Sequence, residues 1–399
     1  MDPVTDPNPA APASRPPAGG RPSPHASEAP RRAGRAEPVG GRRSNRGGRL
    51  RRWSLFGVAV ASGSLLLAAC SSGPEKATAE KSRATTATAA PGPNCPLTGA
   101  PVPGGGSVPQ RPALAFKVDN YPTARPQIGL NKADIVFEEP VEGGITRYVA
   151  VFQCQGATLV GDIRSARNID IGILGQLGHP VIVHVGGIIP VLDNIASSPL
   201  VNFTLGAHTS VITNVSGRNA PYDTYTSTTD VWNLEKTKTT VPQPLFTYST
   251  TTPPGTPAAA VSIPFSSYSM VDWRYNPQAK AYERSYGTIP DKLSTGTQNS
   301  AANVVVQFVH IFYGPWTENS TGALEVQANL YTNASGQALV LRDGVEVKGT
   351  WSRSSLGQAT QFKTTKGTPI ALQPGNTWVE LVPDTISVTT TPGPATGGK

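Results

Sequence analysis

The chain is short of sulfur, of charge and of long apolar runs. Only 15% of its 399 residues are charged and only 38% are hydrophobic, while 41 Gly and 39 Pro interrupt it. That composition argues against a helical bundle, a coiled coil or a multispan membrane protein. Its one extended uncharged run, 53–69, falls short of the roughly 20 apolar residues of a comfortable spanning helix. The sequence contains no G-x-S-x-G elbow, no H-E-x-x-H, no Walker loop and no C-x-x-C pair. The glycines 104–106 lie in a Pro-rich stretch and read as linker. No cofactor and no metal is expected from these residues.

The net charge of +8 is not spread over the chain. Residues 1–52 hold eleven arginines and four acids, which leaves 23 basic and 22 acidic residues in the remainder. The excess belongs to the N-terminal segment, so the body is not expected to bind nucleic acid.

That segment reads as an address. Arg49, Arg51 and Arg52 precede the uncharged run, which ends in Leu67-Ala68-Ala69-Cys70 followed by Ser71-Ser72-Gly73. A basic region, an apolar region and a small-residue cleavage site are the parts of a secretory signal. Leu, two small residues and Cys resemble a bacterial lipobox, in which the Cys70 thiol takes the lipid. Two acyl chains suffice for stable anchoring. The expected location is the outer face of the bacterial cytoplasmic membrane. The basic region is long, and a start downstream, for example at Val39, would shorten it. Export leaves Cys95 and Cys154, which are expected to form one disulfide. Free thiols or a metal pair are the alternatives, although no His lies near them in sequence.

The expected fold class is α+β, a mixed α/β domain followed by a mostly β domain. The expected boundaries are a signal segment at 1–70, a flexible tether at 71–110, the α/β domain at 111–246, a linker at 247–262, the β domain at 263–383 and a disordered tail at 384–399. In the first domain, strands are expected at 114–118, 134–138, 146–152, 158–163 and 181–185, and helices at 169–177, 191–197 and 230–237. The second domain shows eight alternating runs separated by turn residues, with Asp343-Gly344 the strongest hairpin signal. Its aromatics, Trp273, Tyr275, Tyr282, Tyr286, Trp351 and Trp378, read as core. An exposed row able to bind glycan or peptide is the alternative.

Polar residues of the first domain gather at strand ends and in Gly-rich turns, where sites are usually built. They are Asn120, Arg125, Gln127, Glu138, Glu142, Arg147, Arg164, Arg167 and His184. If a helix starts at Ser165, Arg164 and Arg167 face the same way. With Arg147 they would then suit a carboxylate or phosphate. Glu138, Glu142 and Asp162 would otherwise neutralise these arginines internally. His184, in an apolar strand, reads more readily as a satisfied core histidine than as a functional one.

Several blocks resemble the YerB family of bacterial lipoproteins. They are Asp119-Asn120-Tyr121-Pro122-Thr123-Ala124-Arg125-Pro126-Gln127, Ala133-Asp134-Ile135-Val136-Phe137-Glu138, Val141-Glu142-Gly143-Gly144-Ile145-Thr146-Arg147 and Ile163-Arg164-Ser165-Ala166-Arg167. In the second domain, Tyr275-Asn276-Pro277, Tyr282, Arg284 and 374–380 agree. The resemblance covers roughly 111–383 and implies a two-part body on a lipid anchor, with no established reaction. It maps recurrent residues onto the nine site candidates. Ile188 stands where the family tends to have Ser, and Pro221-Tyr222-Asp223 where it tends to have Pro-His-Asn.

The functional expectation is a non-catalytic, membrane-anchored protein that binds an anionic envelope ligand or a protein partner through the Arg/Glu cluster. The alternative is an envelope hydrolase or transferase. Glu142 or Glu138 would be its acid/base, and Arg147, Arg164 and Arg167 would hold a phosphate or carboxylate.

Overall fold

The computed structural model describes residues 92–235, 240–318 and 322–394. The signal segment, Cys70 and most of the expected tether lie outside the described residues.

Short Val/Ile/Leu/Phe runs bounded by Gly, Pro and Asn form the strands. In the N-terminal half these are β1 (Leu114–Asp119), β2 (Ile135–Pro140), β3 (Thr146–Phe152), β4 (Val181–His184) and β5 (Val201–Thr204). Between and after them run helices α1 (Ile169–Leu174), α2 (Ile189–Ala196) and α3 (Thr228–Leu234). The C-terminal half is mostly β. It contains β6 (Thr256–Ser266), β7 (Ser269–Asn276), β8 (Ala281–Tyr286), β9 (Asn303–Val309), β10 (Ile311–Thr317), β11 (Leu324–Ala328), β12 (Ala334–Arg342), β13 (Val345–Arg353), β14 (Thr377–Pro383) and β15 (Thr389–Pro392). The chain is therefore α+β, with its helices confined to the first half.

One sheet runs through both halves, in the order β8-β7-β6-β13-β12-β9-β14-β2-β3-β1-β4-β5. Strand β14 makes the join. It lies parallel to β9 on one side and to β2 on the other, with Phe137 opposite Val379 and Glu138 opposite Glu380. Side chains alternate between the faces. Leu114, Phe116 and Val118 of β1 enter one core with Trp273, Tyr282 and Trp378. Ala115 enters the other with Val149, Ile173, Leu174, Val191 and Trp351. Trp273, Tyr282, Trp351 and Trp378 are thus core residues, not an exposed row.

Local chemistry accounts for the element ends. The Asp343-Gly344 hairpin forms as expected, both residues taking positive φ (51° and 74°), which matches the twist of the flanking strands. Helix α3 starts at Thr228, before the expected position, because Ser227 caps it by accepting from Asp230 N at 2.9 Å. Helix α1 keeps its expected start, and its apolar continuation tightens into a 3₁₀ turn at Gly175–Leu177.

Three expectations need correction. The described end of the stretch expected as a flexible tether, 92–110, packs, with Cys95, Leu97 and Val102 buried. The stretch 247–262 holds the first half of β6, whose Ala258, Ala260 and Val261 are buried. Small residues and Pro resemble a linker in composition, yet here they pack. The tail beyond 383 includes β15, which pairs antiparallel with β6. Its Thr-rich sequence reads as a disordered tail, yet β-branched residues suit a free sheet edge. Strand β5 was not foreseen either.

Cys95 and Cys154 are bonded, with a Cα–Cα distance of 5.9 Å, and hold residues 94–102 against the end of β3. Arg111 supports that corner. Its guanidinium donates to the carbonyls of Gln153 (2.7 Å) and Cys154 (3.0 Å) and lies 3.5 Å from the Trp232 ring centre.

Candidate functional site

The nine candidate residues fall into three places. Glu138 and Glu139 are neighbours in β2, so they point to opposite faces of the sheet. Glu138 is fully buried where the two halves meet. Its Oε2 lies 2.6 Å from Arg284 Nη2, and its Oε1 accepts from Thr146 Oγ1 (2.6 Å) and Asn120 Nδ2 (3.1 Å). Asn120 Oδ1 accepts from Arg125 Nε (3.1 Å), Gln127 Nε2 (3.3 Å) and the Tyr286 hydroxyl. Arg125 also donates to the carbonyls of Asn120 and Tyr268 and stacks 3.5 Å from the Tyr286 ring centre. In this arrangement the protein itself takes up the polar atoms of Asn120 and Glu138, the Nε and Nη2 of Arg125 and the amide N–H groups of Gln127.

Residues not chosen from sequence complete this network. Arg284 Nη1 lies 2.8 Å from Asp291, and Trp273 Nε1 donates to Glu380 Oε1 at 2.8 Å. Burial, reinforced by the neighbouring Glu138, pushes the Glu380 carboxyl well above its ordinary range. Burial thus favours the protonated form of Glu380, and Arg284 is the cation between Glu138 and Asp291. The sequence carried a signal for both. Arg284 and Glu380 occupy inward positions beside the core residues Tyr282, Trp378 and Val382, and a charge there requires a buried partner.

The second place is on the opposite face. Arg164 and Arg167 do not ride on a helix. Residues 164–166 run as a loop, Arg164 N donating to Lys117 O and Ala166 N to Gly186 O, and α1 begins only at Ile169. The two side chains accordingly reach different acids. Arg164 Nε sits 2.8 Å from Asp119 Oδ2. Arg167 Nε and Nη2 each lie 2.9 Å from Glu142 Oε2, and its Nη1 lies 3.2 Å from Glu318. Glu142 Oε1 accepts from Val326 N at 3.1 Å. Lys117 pairs with both Glu139 and Asp170. Neither Glu138 nor Glu142 thus has a free carboxylate oxygen.

Among the described residues of this cluster, the pairing leaves Arg147 without an acid. In the sheet Arg147 lies opposite Asp119 and Glu139, but those carboxylates serve Arg164 and Lys117. Arg147 is 6% exposed, donates only to Ser165 O (3.0 Å) and leaves its Nε without a partner. It forms no carboxylate ion pair. Burial, with Arg167 adding repulsion, lowers its pKa to about 10, so it stays charged at neutral pH. The loops beside it carry Gly143, Gly144 and Gly186 at positive φ, and at Gly143 and Gly186 open space lies where a side chain would stand.

His184 is the third place. It is buried in β4, with Nε2 2.6 Å from Asn202 Oδ1 and Nδ1 3.0 Å from Gly186 N. Nδ1 also lies 2.9 Å from Gly186 O, so both ring nitrogens have partners within the chain, as in a core histidine. Among the described residues, no group of three or more His, Cys, Asp or Glu side chains is arranged for a metal ion. No described helix is long and apolar enough to cross a membrane.

Burial raises three carboxyls to about 7. These are Asp134 under the disulfide, Asp162 beside Asp119, and Glu318 beside Arg167. Between about pH 4.5 and 7 the folded chain favours a proton on each that the unfolded chain, at its ordinary value of 3.8 or 4.5, has released. Their stabilising contribution is full below about pH 4 and is lost as pH rises through about 7. Calorimetry should therefore find a higher melting temperature near pH 5 than near pH 8. Asp134→Asn should flatten that slope. A melting temperature that rises over this range would mean that these groups are ionised in the folded chain.

Comparison with known proteins agrees with the fold. Residues 97–241 match the N-terminal domain, and residues 261–379 the C-terminal domain, of the family described as protein of unknown function DUF3048. The chain belongs to this family. It is 27% identical over 289 residues to a candidate lipoprotein, YerB of Bacillus subtilis (strain 168), which covers 69% of this chain and 83% of YerB. The crystal structure of Bacillus subtilis YerB superposes with a TM-score of 0.64 at 25% identity, covering 74% of this chain and 99% of that one. The YerB likeness read from the sequence blocks is thereby shown, and a relative described as a lipoprotein points to membrane anchoring.

Proposed function

We propose that the protein is an extracytoplasmic lipoprotein, anchored through Cys70 to the outer face of the cytoplasmic membrane, that binds an anionic envelope ligand at Arg147. One observation carries this reading. Arg147 is a buried guanidinium whose neighbouring carboxylates are each paired with another cation. Burying an unpaired charge is costly, and an anion supplied from outside would relieve that cost. The guanidinium suits the two oxygens of a phosphate or carboxylate. Arg164, part-exposed beside it, would meet the ligand first, while Arg167 would hold Glu142 in place. Asn120, Arg125, Gln127 and Glu138 act in this reading as the frame that joins the halves.

Thermal unfolding of the full chain in detergent tests it, with pyrophosphate as the probe. At 100 times the dissociation constant a ligand stabilises by about 2.7 kcal/mol. Pyrophosphate should raise the melting temperature of the wild-type chain and leave that of Arg147→Gln unmoved. Equal shifts in both would place any anion elsewhere.

A further inference from the structure

A second concavity borders this region. A groove of about 560 Å³ runs between α1, the end of α2 and the β10–β11 ribbon, within the size range of small-ligand sites. Its lining contains no charged residue. Four carboxamides contribute instead, Asn168, Asn194, Gln327 and Asn329, together with the rings of Phe312 and Tyr331.

Asn329 is engaged by Tyr331 and Thr332, and Gln327 donates to Glu325, but the other two carboxamides are only partly used. Asn194 Nδ2 donates to Asn168 Oδ1 at 2.9 Å. The pair therefore keeps one amino group and one carbonyl oxygen unengaged, and this also holds if both amides are turned together. Phe312 is 41% exposed although it is a large apolar ring. An uncharged lining repels no neutral ligand and pairs with no ion. Spare amide donors and acceptors recognise hydroxyl and acetamido groups, and a bare ring gives the C–H face of a sugar a surface to stack on.

We infer that this groove binds a neutral, N-acetylated stretch of glycan. It adjoins the proposed anion site. Asn168 follows Arg167 directly, its N–H donates to Glu325 (2.7 Å), and Glu142 bonds the next residue of that strand, Val326. A glycan strand in the groove would bring an acidic substituent towards Arg147, and only this direction along the strand rests on the anion reading.

Isothermal titration of the full chain in detergent with chitotetraose, a neutral chain of N-acetylglucosamine, tests the inference. Saturable binding is expected, weakened about tenfold or more by Phe312→Ala and by Asn194→Leu. Cellotetraose, with hydroxyls in place of acetamido groups, should bind several-fold more weakly. Arg147→Gln should leave chitotetraose affinity unchanged. Both groove residues are at least partly exposed, so an unchanged melting temperature checks that the variants fold. Absence of saturable binding, or binding that survives both groove substitutions, overturns the inference. If chitotetraose fails while pyrophosphate binds through Arg147, the groove falls and the anion site stands. The reverse result leaves a neutral-glycan site alone.

Discussion

Replacing Arg284 with Met is expected to cost the fold about 3–5 kcal/mol, the usual penalty for removing one partner of a buried ion pair. Arg284 is the cation lying between Glu138 and Asp291, and all three are essentially inaccessible to solvent. Without it two carboxylates stay buried and unpaired, or must take up protons. Because Glu138 comes from the first half and Arg284 from the second, the loss falls on the join between them. Glu380→Gln is expected to cost less than about 1 kcal/mol, since burial favours the protonated form of Glu380 and a carboxamide can still accept from Trp273. Urea unfolding midpoints of the two variants compare them directly. Equal penalties would show that Glu380 is ionised in the folded chain.

The second large effect is on the disulfide. Cys95 and Cys154 close a loop with a sequence separation of 59, for which loop-closure entropy alone gives about 4 kcal/mol. The double variant Cys95→Ser/Cys154→Ser should melt several degrees below the wild-type chain, and reductant should lower the wild type alone. A double variant that melts with the wild type would mean that Asp134 and Arg111 hold this corner without the bond.

The fold was legible where chemistry is local. Asp343-Gly344 fixed a hairpin, and the alternation of β1 and β3 sorted their residues onto two faces. Strands β6 and β15 were not legible, because Ala, Pro and Thr resemble linker until a neighbouring strand gives them a partner. The site was legible only in part. Sequence proximity gathered nine polar residues, but it could not show that the sheet separates Glu138 from Arg147. It could not show that Glu138 would meet Arg284, 146 residues further on. The pairing of Arg164 and Arg167 on one helix face failed because backbone bonds to Lys117 and Gly186 hold that segment extended. Which arginine of this cluster lacks an acid is a property of all its pairings together, and no spacing rule reports it.

The most direct measurement is a crystal structure of the chain grown with pyrophosphate. The account predicts anion density within hydrogen-bond distance of the Arg147 guanidinium, with Arg167 still paired to Glu142. An Arg147 that is instead paired to a carboxylate of the chain, with no anion beside it, would contradict the account.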